Sequence, residues 1–279
     1  MIQKNSLMAL AVLVLILLTA SCTGKDTGKP ENTKIMSSRG AKAEAPPVSA
    51  ELKEMLADYP PAIRESIMKN TGDFLSLATK ALKLPPEIFV MADKQHALGE
   101  AFIPEHLVPL TDYPELTLSR KTLELRKIVI PDLLQMVSDA EKEGLTLVIS
   151  STYRSYNYQK MLFEREVKLY GLETAERESA RPGTSQHQLG VTIDFGSISD
   201  EYADTPSGKW LLKNAWKYGF SLSYPQGYEW LTGYRPEVWH YRYITPLGTQ
   251  LQRKYFNDIQ QYMLMFLSEN RTRLLSITD

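Results

Sequence analysis

The sequence predicts a protein of the α+β class, in which short strands are mixed with helices at irregular spacing. Residues 145–150, 191–195 and 239–244 each have the apolar pattern and the length of a short strand. Helical patterns separate them at unequal intervals, which disfavours a regular series of parallel β–α–β units. The 279 residues are 43% hydrophobic and 23% charged, a composition typical of a globular protein with a real core.

Residues 1–21 are predicted to be a signal peptide of the lipoprotein type. Lys4 precedes an apolar run at 7–18, which has the length of a signal-peptide core and is too short to span a bilayer comfortably. Three small or polar residues separate this run from the only cysteine, Cys22. A cysteine directly after the signal is typical of bacterial lipoproteins, which this segment resembles although Thr19 replaces their usual leucine. That resemblance implies a lipid on Cys22 and an exported protein anchored to a membrane, facing the periplasm or cell wall. A plain signal peptide and a retained N-terminal membrane anchor are the alternatives.

The two segments that follow carry no chemical motif. Residues 22–50 are poor in large apolar side chains and rich in Lys, Gly, Ser and Pro, so we predict a flexible tether. Residues 51–84 have helical spacing that is interrupted at Pro60 and Pro61. This pattern predicts a helical extension that packs against the main domain.

Four helices are predicted within and after the main domain, at residues 130–143, 157–170, 206–218 and 246–275. The third has Thr205 as its N-cap. The last helix makes up the predicted C-terminal extension, 249–279, and carries one apolar stripe that we expect to face the core. This stripe consists of Leu251, Tyr255, Ile259, Tyr262 and Phe266.

The charge balance and the cysteine count exclude several classes of function. The chain has 32 Lys and Arg against 33 Asp and Glu, a formal net charge of -1 and a pI near 6.5. It therefore lacks the basic character of a nucleic-acid-binding protein. A single cysteine excludes an internal disulfide framework and a cysteine-rich metal cluster. The four histidines remain as candidate metal ligands.

Two of the four histidines lie near carboxylates in strand-like segments. His187 lies seven residues before Asp194, and His240 lies three residues after Glu237. Two imidazoles and one carboxylate are a standard ligand set for catalytic zinc, with a fourth position left for water. By its spacing alone, the first pair is explained at least as well by ordinary surface groups.

Strand alternation refines this prediction. In residues 191–195 the apolar side chains share one face, so Asp194 is expected on the other face, towards a cleft. Glu237 is an odd number of residues from His240, and Pro236 indicates a turn between a loop and the strand. Such a turn could place the Glu237 carboxylate over the metal without making it a ligand. A carboxylate in that place can take a proton from water during hydrolysis.

Three separated motifs resemble, in the same order, those of zinc D-alanyl-D-alanine carboxypeptidases, including those of vancomycin resistance. Residues 185–194 (SQHQLGVTID) resemble their S-x-H-x-x-G-x-A-x-D motif, and residues 237–240 (EVWH) resemble their E-P-W-H motif. Residues 151–159 (STYRSYNYQ) resemble their S-G-Y-R-S-x-x-x-Q segment. The likeness extends over residues 85–248, which we therefore predict to be the catalytic domain.

The resemblance implies a fold and a set of residue roles. The fold is that of the hedgehog signalling domain and of peptidoglycan metallopeptidases, with a small, mainly antiparallel sheet and flanking helices. One zinc ion would be held by His187, Asp194 and His240, with Glu237 as general base. Arg154 would contact the substrate or stabilise the oxyanion that forms during hydrolysis. The substrates would be peptidoglycan stem peptides.

Four further positions bear on substrate binding. The resemblance implies that Ser185 and Gln159 line the substrate site. Thr192 stands where the family has alanine, and its extra hydroxyl and methyl could narrow the pocket or bond to the ligand carboxylate. Val238 replaces a proline of the family, which loosens the turn that holds Glu237.

Three functions are compatible with these motifs. The first is removal of a terminal D-alanine from stem peptides by an exported enzyme. The second is an L,D-carboxypeptidase or an endopeptidase, which would use the same ligand set on the same fold. The third is a zinc-containing module that binds cell-wall peptides without catalysis. Glu237 and Arg154 argue against the third, because a structural zinc ion needs neither a base nor a partner for an oxyanion.

Overall fold

The computed structural model describes residues 48–278, and helices and short strands are mixed along this part of the chain. The predicted signal peptide, Cys22 and most of the predicted tether lie outside the described residues. The helices are α1 (Val48–Met55), α2 (Pro61–Lys69), α3 (Thr71–Leu82), α4 (Ile130–Lys142), α5 (Tyr156–Tyr170), α6 (Leu172–Glu178), α7 (Pro206–Asn214), α8 (Glu229–Thr232), α9 (Thr245–Tyr255) and α10 (Gln260–Thr278). The strands are β1 (Leu107–Pro109), β2 (Thr117–Leu118), β3 (Glu124–Arg126), β4 (Val148–Ser151), β5 (Thr192–Phe195), β6 (Phe220–Leu222) and β7 (His240–Tyr243). Between residues 48 and 278, no helix is both long and apolar enough to cross a bilayer.

The central sheet has five strands in the order β2–β4–β5–β7–β6. The pairs β4–β5, β5–β7 and β7–β6 are antiparallel, whereas β2 runs parallel to β4. A separate antiparallel pair joins β1 to β3. The predicted α+β class and the mainly antiparallel sheet are therefore confirmed.

The two faces of the sheet differ in chemistry, as the alternation of side chains predicts. Ile193, Phe195 and Tyr241 are buried in the hydrophobic core, and the rings of Phe195 and Tyr241 lie 5.9 Å apart in an edge-to-face arrangement. The opposite face of β5 and β7 carries Asp194 and His240. One apolar face holds the sheet to the helices, and the other is left for chemistry.

Local capping and turn residues fix the predicted helices around this sheet. The Thr205 hydroxyl accepts a hydrogen bond from the backbone N–H of Gly208 at 3.0 Å, which confirms its role as the N-cap of α7. Helix α7 ends at Asn214, and a turn of 3-10 helix continues to Tyr218. Helix α4 ends at Lys142, one residue before the predicted end at 143.

The first helix begins at Val48, so the last three residues of the predicted tether are helical. The reason is packing: Leu52 and Met55 are buried in the core, and the helix that carries them extends one turn ahead of them. Glu51 in this first turn adds a favourable charge near the positive end of the helix.

The prediction of one continuous helix over residues 246–275 is wrong. The chain leaves the helical conformation after Tyr255 and forms α9 and α10 instead. Asn257 and Asp258 have positive φ values of 53° and 61°, a conformation that these two residue types tolerate better than most. The Gln252 side chain donates to the backbone oxygen of Asp258 at 2.8 Å and stabilises this break. The apolar stripe is nevertheless buried, as predicted.

The N-terminal and C-terminal helices pack on each other through aromatic rings. Phe74 of α3 lies 5.2 Å from the ring of Tyr255 and 5.6 Å from that of Phe266. Tyr59 lies 5.6 Å from the Phe266 ring on another side. Burial of each such ring contributes roughly 1.5–3 kcal/mol. The two extensions therefore stabilise each other as well as the sheet.

Candidate metal site and substrate cleft

The turn that carries His187 is built from residues on both sides of it. A 3-10 helix spans Gln186–Leu189, and the Ser185 hydroxyl accepts a hydrogen bond from the backbone N–H of His187 at 3.3 Å. Gly190 ends this turn with a φ of +68°, which favours glycine. A Cβ atom at this position would also come within 3.0 Å of side-chain atoms of Leu107 and Pro104. The H-x-x-G spacing thus has a steric cause.

The ring of His187 is oriented by the backbone behind it. Its Nδ1 atom donates to the carbonyl oxygen of Thr152 at 2.7 Å, which leaves the Nε2 lone pair directed at Asp194. The Nε2 atom lies 3.2 Å from Asp194 Oδ2. Burial lowers the pKa of His187 to about 4, and the nearby Arg154 guanidinium acts in the same direction. The imidazole is therefore neutral near pH 7, the state in which it can bind a metal.

Asp194 is a buried carboxylate surrounded by donors. Its Oδ1 atom lies 3.2 Å from His240 Nδ1, and its Oδ2 atom lies 2.7 Å from Arg154 Nη2. Burial would raise the pKa of Asp194, but His187, His240 and Arg154 together hold it well below its usual range. The carboxylate is thus ionised, as a metal ligand must be.

His240 contacts two carboxylates through one ring nitrogen. Its Nδ1 atom lies 3.2 Å from Asp194 Oδ1 and 3.2 Å from Glu237 Oε2. Burial alone would lower the pKa of His240, but these two carboxylates raise it to about 9. Metal binding at Nδ1 must therefore displace a proton that these carboxylates favour.

The predicted ligand set fits a metal ion. One donor atom from each of His187, Asp194 and His240 lies within 4.8 Å of the other two, and all three residues are buried. The closest donor pairs are 3.2 Å apart, near the roughly 3.3 Å expected between donors that each lie about 2.0 Å from a tetrahedral zinc ion. Asp194 Oδ1 is buried and, although it lies 3.2 Å from His240 Nδ1, it accepts no hydrogen bond of acceptable geometry. Two imidazoles and a carboxylate are a donor set that suits zinc.

Glu237 lies beside this group without belonging to it, as predicted. Its backbone N–H donates to the carbonyl oxygen of Tyr224 at 3.0 Å, which fixes the turn after Pro236. Its carboxylate reaches His240 Nδ1, and its side chain is 13% exposed and lines the cleft. A partly hydrated carboxylate next to a metal site can exchange protons with water.

Arg154 follows β4 and is held by three side chains. Its Nε atom donates to the Ser151 hydroxyl at 3.0 Å, its Nη1 to Gln159 Oε1 at 3.2 Å and its Nη2 to Asp194 Oδ2 at 2.7 Å. The same Nη2 atom lies 2.9 Å from His187 Nε2. The guanidinium is thus placed at the edge of the ligand set, with one flank towards the cleft.

Of the two residues predicted to line the substrate site, Ser185 and Gln159, the structure places only Ser185 in the cleft. Gln159 is fully buried and does not line the cleft, so the prediction that it contacts substrate is wrong. Its amide nitrogen donates to the carbonyl oxygen of Ala180 at 2.8 Å and its oxygen accepts from Arg154, so it orients the guanidinium. Ser185 does line the cleft, while its hydroxyl also caps the turn of His187.

Thr192 does not narrow the cleft. Its hydroxyl donates to the backbone carbonyl oxygen of Gln186 at 3.1 Å, and the residue is fully buried. The extra hydroxyl thus ties β5 to the turn of His187 and forms no bond to Asp194.

The cleft over these groups has a volume of about 540 Å³ and a mostly polar, charged lining. Four arginines and three glutamates lie along it: Arg120, Arg154, Arg165, Arg235, Glu166, Glu178 and Glu237. Clefts of this size accept a short peptide or a drug-sized molecule. The arginines are the groups of this lining that could bind a carboxylate of a substrate.

Sequence reasoning missed two contributors to the site. Tyr224 lines the cleft, and its ring centroid lies 4.7 Å from that of His240. Thr152 supplies the carbonyl that orients His187. A tyrosine in a loop and a backbone carbonyl after a strand carry no pattern that would single them out.

The fold and this group of side chains together define a metallopeptidase type of site: a buried His–Asp–His set on a small sheet, with a carboxylate and a guanidinium beside it. A family profile described as D-alanyl-D-alanine carboxypeptidase (VanY) matches residues 122–246. The solved LdcB LD-carboxypeptidase is 34% identical, with a TM-score of 0.58, and the match covers 64% of this chain and 86% of that one. The chain belongs to the VanY family of D-alanyl-D-alanine carboxypeptidases.

Two curated relatives support this assignment. The putative carboxypeptidase YodJ of Bacillus subtilis is 36% identical over 173 residues, which cover 59% of this chain and 63% of that protein. A D-alanyl-D-alanine carboxypeptidase of Enterococcus faecium is 30% identical over 194 residues, which cover 67% of this chain and 61% of that protein. The matches thus span less than two thirds of the length of either relative.

Proposed function

We propose that this protein is an exported zinc carboxypeptidase that removes the terminal D-alanine from peptidoglycan stem peptides. The observation that carries the proposal is the position of the Glu237 carboxylate, 3.2 Å from the Nδ1 atom of His240 and open to the cleft. A structural metal site has no need of a second, partly exposed acid at its edge. The names of the family and of the Enterococcus faecium relative support D-alanyl-D-alanine as the bond cleaved.

The side chains present divide the work of hydrolysis among them. A zinc ion held by His187, Asp194 and His240 would supply Lewis acidity towards a carbonyl oxygen and towards water. Glu237 accepts a proton from the attacking water molecule while the water oxygen bonds to the carbonyl carbon. The same carboxylate then gives that proton to the leaving amine nitrogen as the C–N bond breaks. The net reaction adds one water molecule across one peptide bond and gives a carboxylic acid and an amine.

Arg154 is suited to negative charge in two places. As the carbonyl carbon becomes tetrahedral, its oxygen gains charge that a guanidinium can stabilise. A terminal carboxylate of the substrate is the other anion that an arginine fork binds by two parallel hydrogen bonds. The three hydrogen bonds that the guanidinium donates to Ser151, Gln159 and Asp194 hold it rigidly, which favours either role.

Export and membrane anchoring belong to the same proposal. Peptidoglycan lies outside the cytoplasmic membrane, so the enzyme must be exported to reach it. The apolar run at 7–18 and the cysteine four residues after it support export and lipidation at Cys22. The test is mass spectrometry of the protein from membranes of an expressing bacterium. A diacylglyceryl modification on Cys22 is expected, and an unmodified Cys22 would contradict anchoring.

An L,D-carboxypeptidase is the second candidate, because the LdcB LD-carboxypeptidase shares 34% identity and the fold with this chain. Purified protein with zinc should be incubated with pentapeptide-bearing, tetrapeptide-bearing and cross-linked muropeptides, with and without a chelator. Release of D-alanine from pentapeptides alone, seen by mass spectrometry, supports the first candidate. Release from tetrapeptides supports the second, and cleavage of cross-links indicates an endopeptidase. Binding without any hydrolysis would overturn both.

A further inference from the structure

A chain of buried side-chain amides connects His240 to the first residue of α10. The Nε2 atom of His240 lies 3.3 Å from Gln186 Oε1, and the Nε2 atom of Gln186 donates to Gln260 Oε1 at 3.3 Å. The amide nitrogen of Gln260 in turn donates to the backbone carbonyl oxygen of Ser221 at 3.3 Å. The three polar side chains are no more than 4% exposed, so water does not compete for these hydrogen bonds.

The orientation of each amide in this series of hydrogen bonds follows from its last acceptor, the backbone carbonyl of Ser221. A backbone carbonyl can only accept, so Gln260 must present its NH2 group to Ser221 and its oxygen to Gln186. Gln186 must then present its NH2 group to Gln260 and its oxygen to His240. Only a donor satisfies that oxygen, so the neutral ring of His240 carries its proton on Nε2. The lone pair of Nδ1 is left facing Asp194 and Glu237.

Two further hydrogen bonds hold Gln186 in this orientation. The Ser223 hydroxyl donates to Gln186 Oε1 at 2.7 Å, which adds a second donor to the same oxygen. The Thr192 hydroxyl donates to the backbone oxygen of Gln186, as described above. A reversed Gln186 amide would place its oxygen against the oxygen of Gln260 and leave neither with a donor.

From this geometry we propose that Gln186 and Gln260 are positioning residues for the metal ligand His240, with Gln260 acting through Gln186. They select the ring tautomer and fix the ring plane so that Nδ1 is available as the ligand atom. This inference rests on the proposed zinc site. It also makes the C-terminal extension a part of that site, since Gln260 lies beyond residues 122–246, which the family profile matches. Partners that orient ligating histidines typically change metal affinity or activity 10- to 100-fold when removed.

The test compares three variants of the whole chain with the same substitution. Gln186→Met and Gln260→Met remove the amides at similar volume. Gln188→Met is the matched control, because Gln188 lies in the same turn, is fully buried and donates instead to the carbonyl oxygens of Gly99 and Phe102. The zinc Kd is measured by competition with a chromogenic chelator, and thermal unfolding of each protein is recorded in parallel.

We expect Gln186→Met and Gln260→Met to raise the zinc Kd by about 10- to 100-fold. The control is expected to lower the Tm without changing the zinc Kd. The double variant Gln186→Met/Gln260→Met should bind zinc about as weakly as Gln186→Met alone, because Gln260 acts through Gln186. Gln186→Glu keeps an oxygen acceptor for His240 but loses the donor to Gln260, so it should retain more of the affinity than Gln186→Met.

A second measurement separates positioning from folding. In the zinc-loaded protein, the Nε2–H proton of His240, observed by NMR, should exchange with water faster in Gln186→Met than in the wild type. An unchanged zinc Kd and an unchanged exchange rate in Gln186→Met would overturn the proposal, as would an equal loss of affinity in Gln188→Met. Neither measurement uses hydrolysis, so a failure of the proposed peptidase activity would leave this outcome readable.

Discussion

Asp194 and His240 are directly paired residues on the neighbouring antiparallel strands β5 and β7. Side chains of directly opposed residues share one face of a sheet, with their Cβ atoms about 4.5–5.5 Å apart. Two of the three candidate metal ligands are thus brought together by backbone hydrogen bonds of the sheet. The third, His187, is held by Thr152 and by the turn that ends at Gly190. The site is therefore built by the fold before any metal binds.

Metal removal should abolish activity and leave the fold intact. Treatment with a chelator is expected to give a protein with an unchanged far-UV circular dichroism spectrum and a cooperative thermal transition at lower temperature. Zinc at about 1,000 times its Kd stabilises a folded protein by about 4 kcal/mol through binding alone. Activity should return when zinc is added. A chelated protein without cooperative unfolding would show that the metal builds the site.

Glu237→Gln should retain zinc and lose hydrolysis. The amide keeps the shape of the side chain but cannot accept the proton, so kcat is expected to fall about 10²- to 10⁴-fold. Zinc content is measured by atomic absorption and hydrolysis by release of D-alanine. Glu178→Gln is the matched control, since Glu178 lines the same cleft and pairs with Arg235. Wild-type turnover by Glu237→Gln would refute its role as the base.

His187→Ala should lose the metal as well as the activity. The variant removes one of three ligands and leaves the Asp194 carboxylate buried with fewer partners. We expect substoichiometric zinc after dialysis and no detectable hydrolysis. Full zinc occupancy in this variant would contradict the ligand assignment. A comparison with Glu237→Gln, which fails only in catalysis, distinguishes binding of the metal from use of it.

Arg154→Lys should weaken hydrolysis although it keeps the positive charge. A lysine cannot make the separate hydrogen bonds to Ser151, Gln159 and Asp194, so the charge is no longer held in place. We expect kcat/KM to fall about 10²- to 10³-fold. A fall carried by kcat indicates a role at the oxyanion, and a rise of KM indicates capture of the terminal carboxylate. Arg165→Lys, on the same cleft but paired with Glu166, should change neither value.

The acid stability of the fold should depend on Asp93. This carboxylate accepts hydrogen bonds from Gln261 of α10 at 2.8 Å, from the backbone N–H of Gln95 at 2.9 Å and from His96 at 2.8 Å. Burial would raise the pKa of Asp93, but these donors hold it below its usual value. Its contribution to stability is therefore present above the unfolded pKa of about 3.9 and is lost as the pH falls through the folded pKa.

The measurement is the free energy of unfolding in urea for the wild type and Asp93→Asn. The wild type should be the more stable near pH 6, and the difference should shrink as the pH falls from about 4 towards 2. A difference that is constant over this range would show that the ionised form of Asp93 does not contribute.

Much of the site was predictable because it follows from alternation and from motif order. The position of Asp194 opposite its apolar neighbours is a property of any strand, and the turn at Pro236 is a local property of the chain. The pairing of Asp194 with His240 is a matter of register between distant strands, which no local pattern specifies. The role of Gln186 depends on Gln260, 74 residues further along the chain, so its sequence neighbourhood gave no indication of it.

Secondary-structure elements were likewise predictable only where a local pattern specifies them. For helices with helical spacing over several turns, such as α4 and α5, the predicted ends lie within one residue of the observed ends. Strands β1, β2 and β3 have only two or three residues, too few for any period to be visible. The break between α9 and α10 lies within an apolar stripe that continues across it, so periodicity alone hides it.

The aromatic contacts among Tyr59, Phe74 and Phe266 have a practical consequence for anyone who dissects this protein. A fragment limited to residues 122–246 would keep every candidate metal ligand and yet expose a bare hydrophobic surface where the extensions had been. Such a fragment would be prone to aggregate, and its insolubility would carry no information about its catalytic activity. The smallest portable unit begins near Val48 and continues past Phe266, so truncation studies should respect those limits.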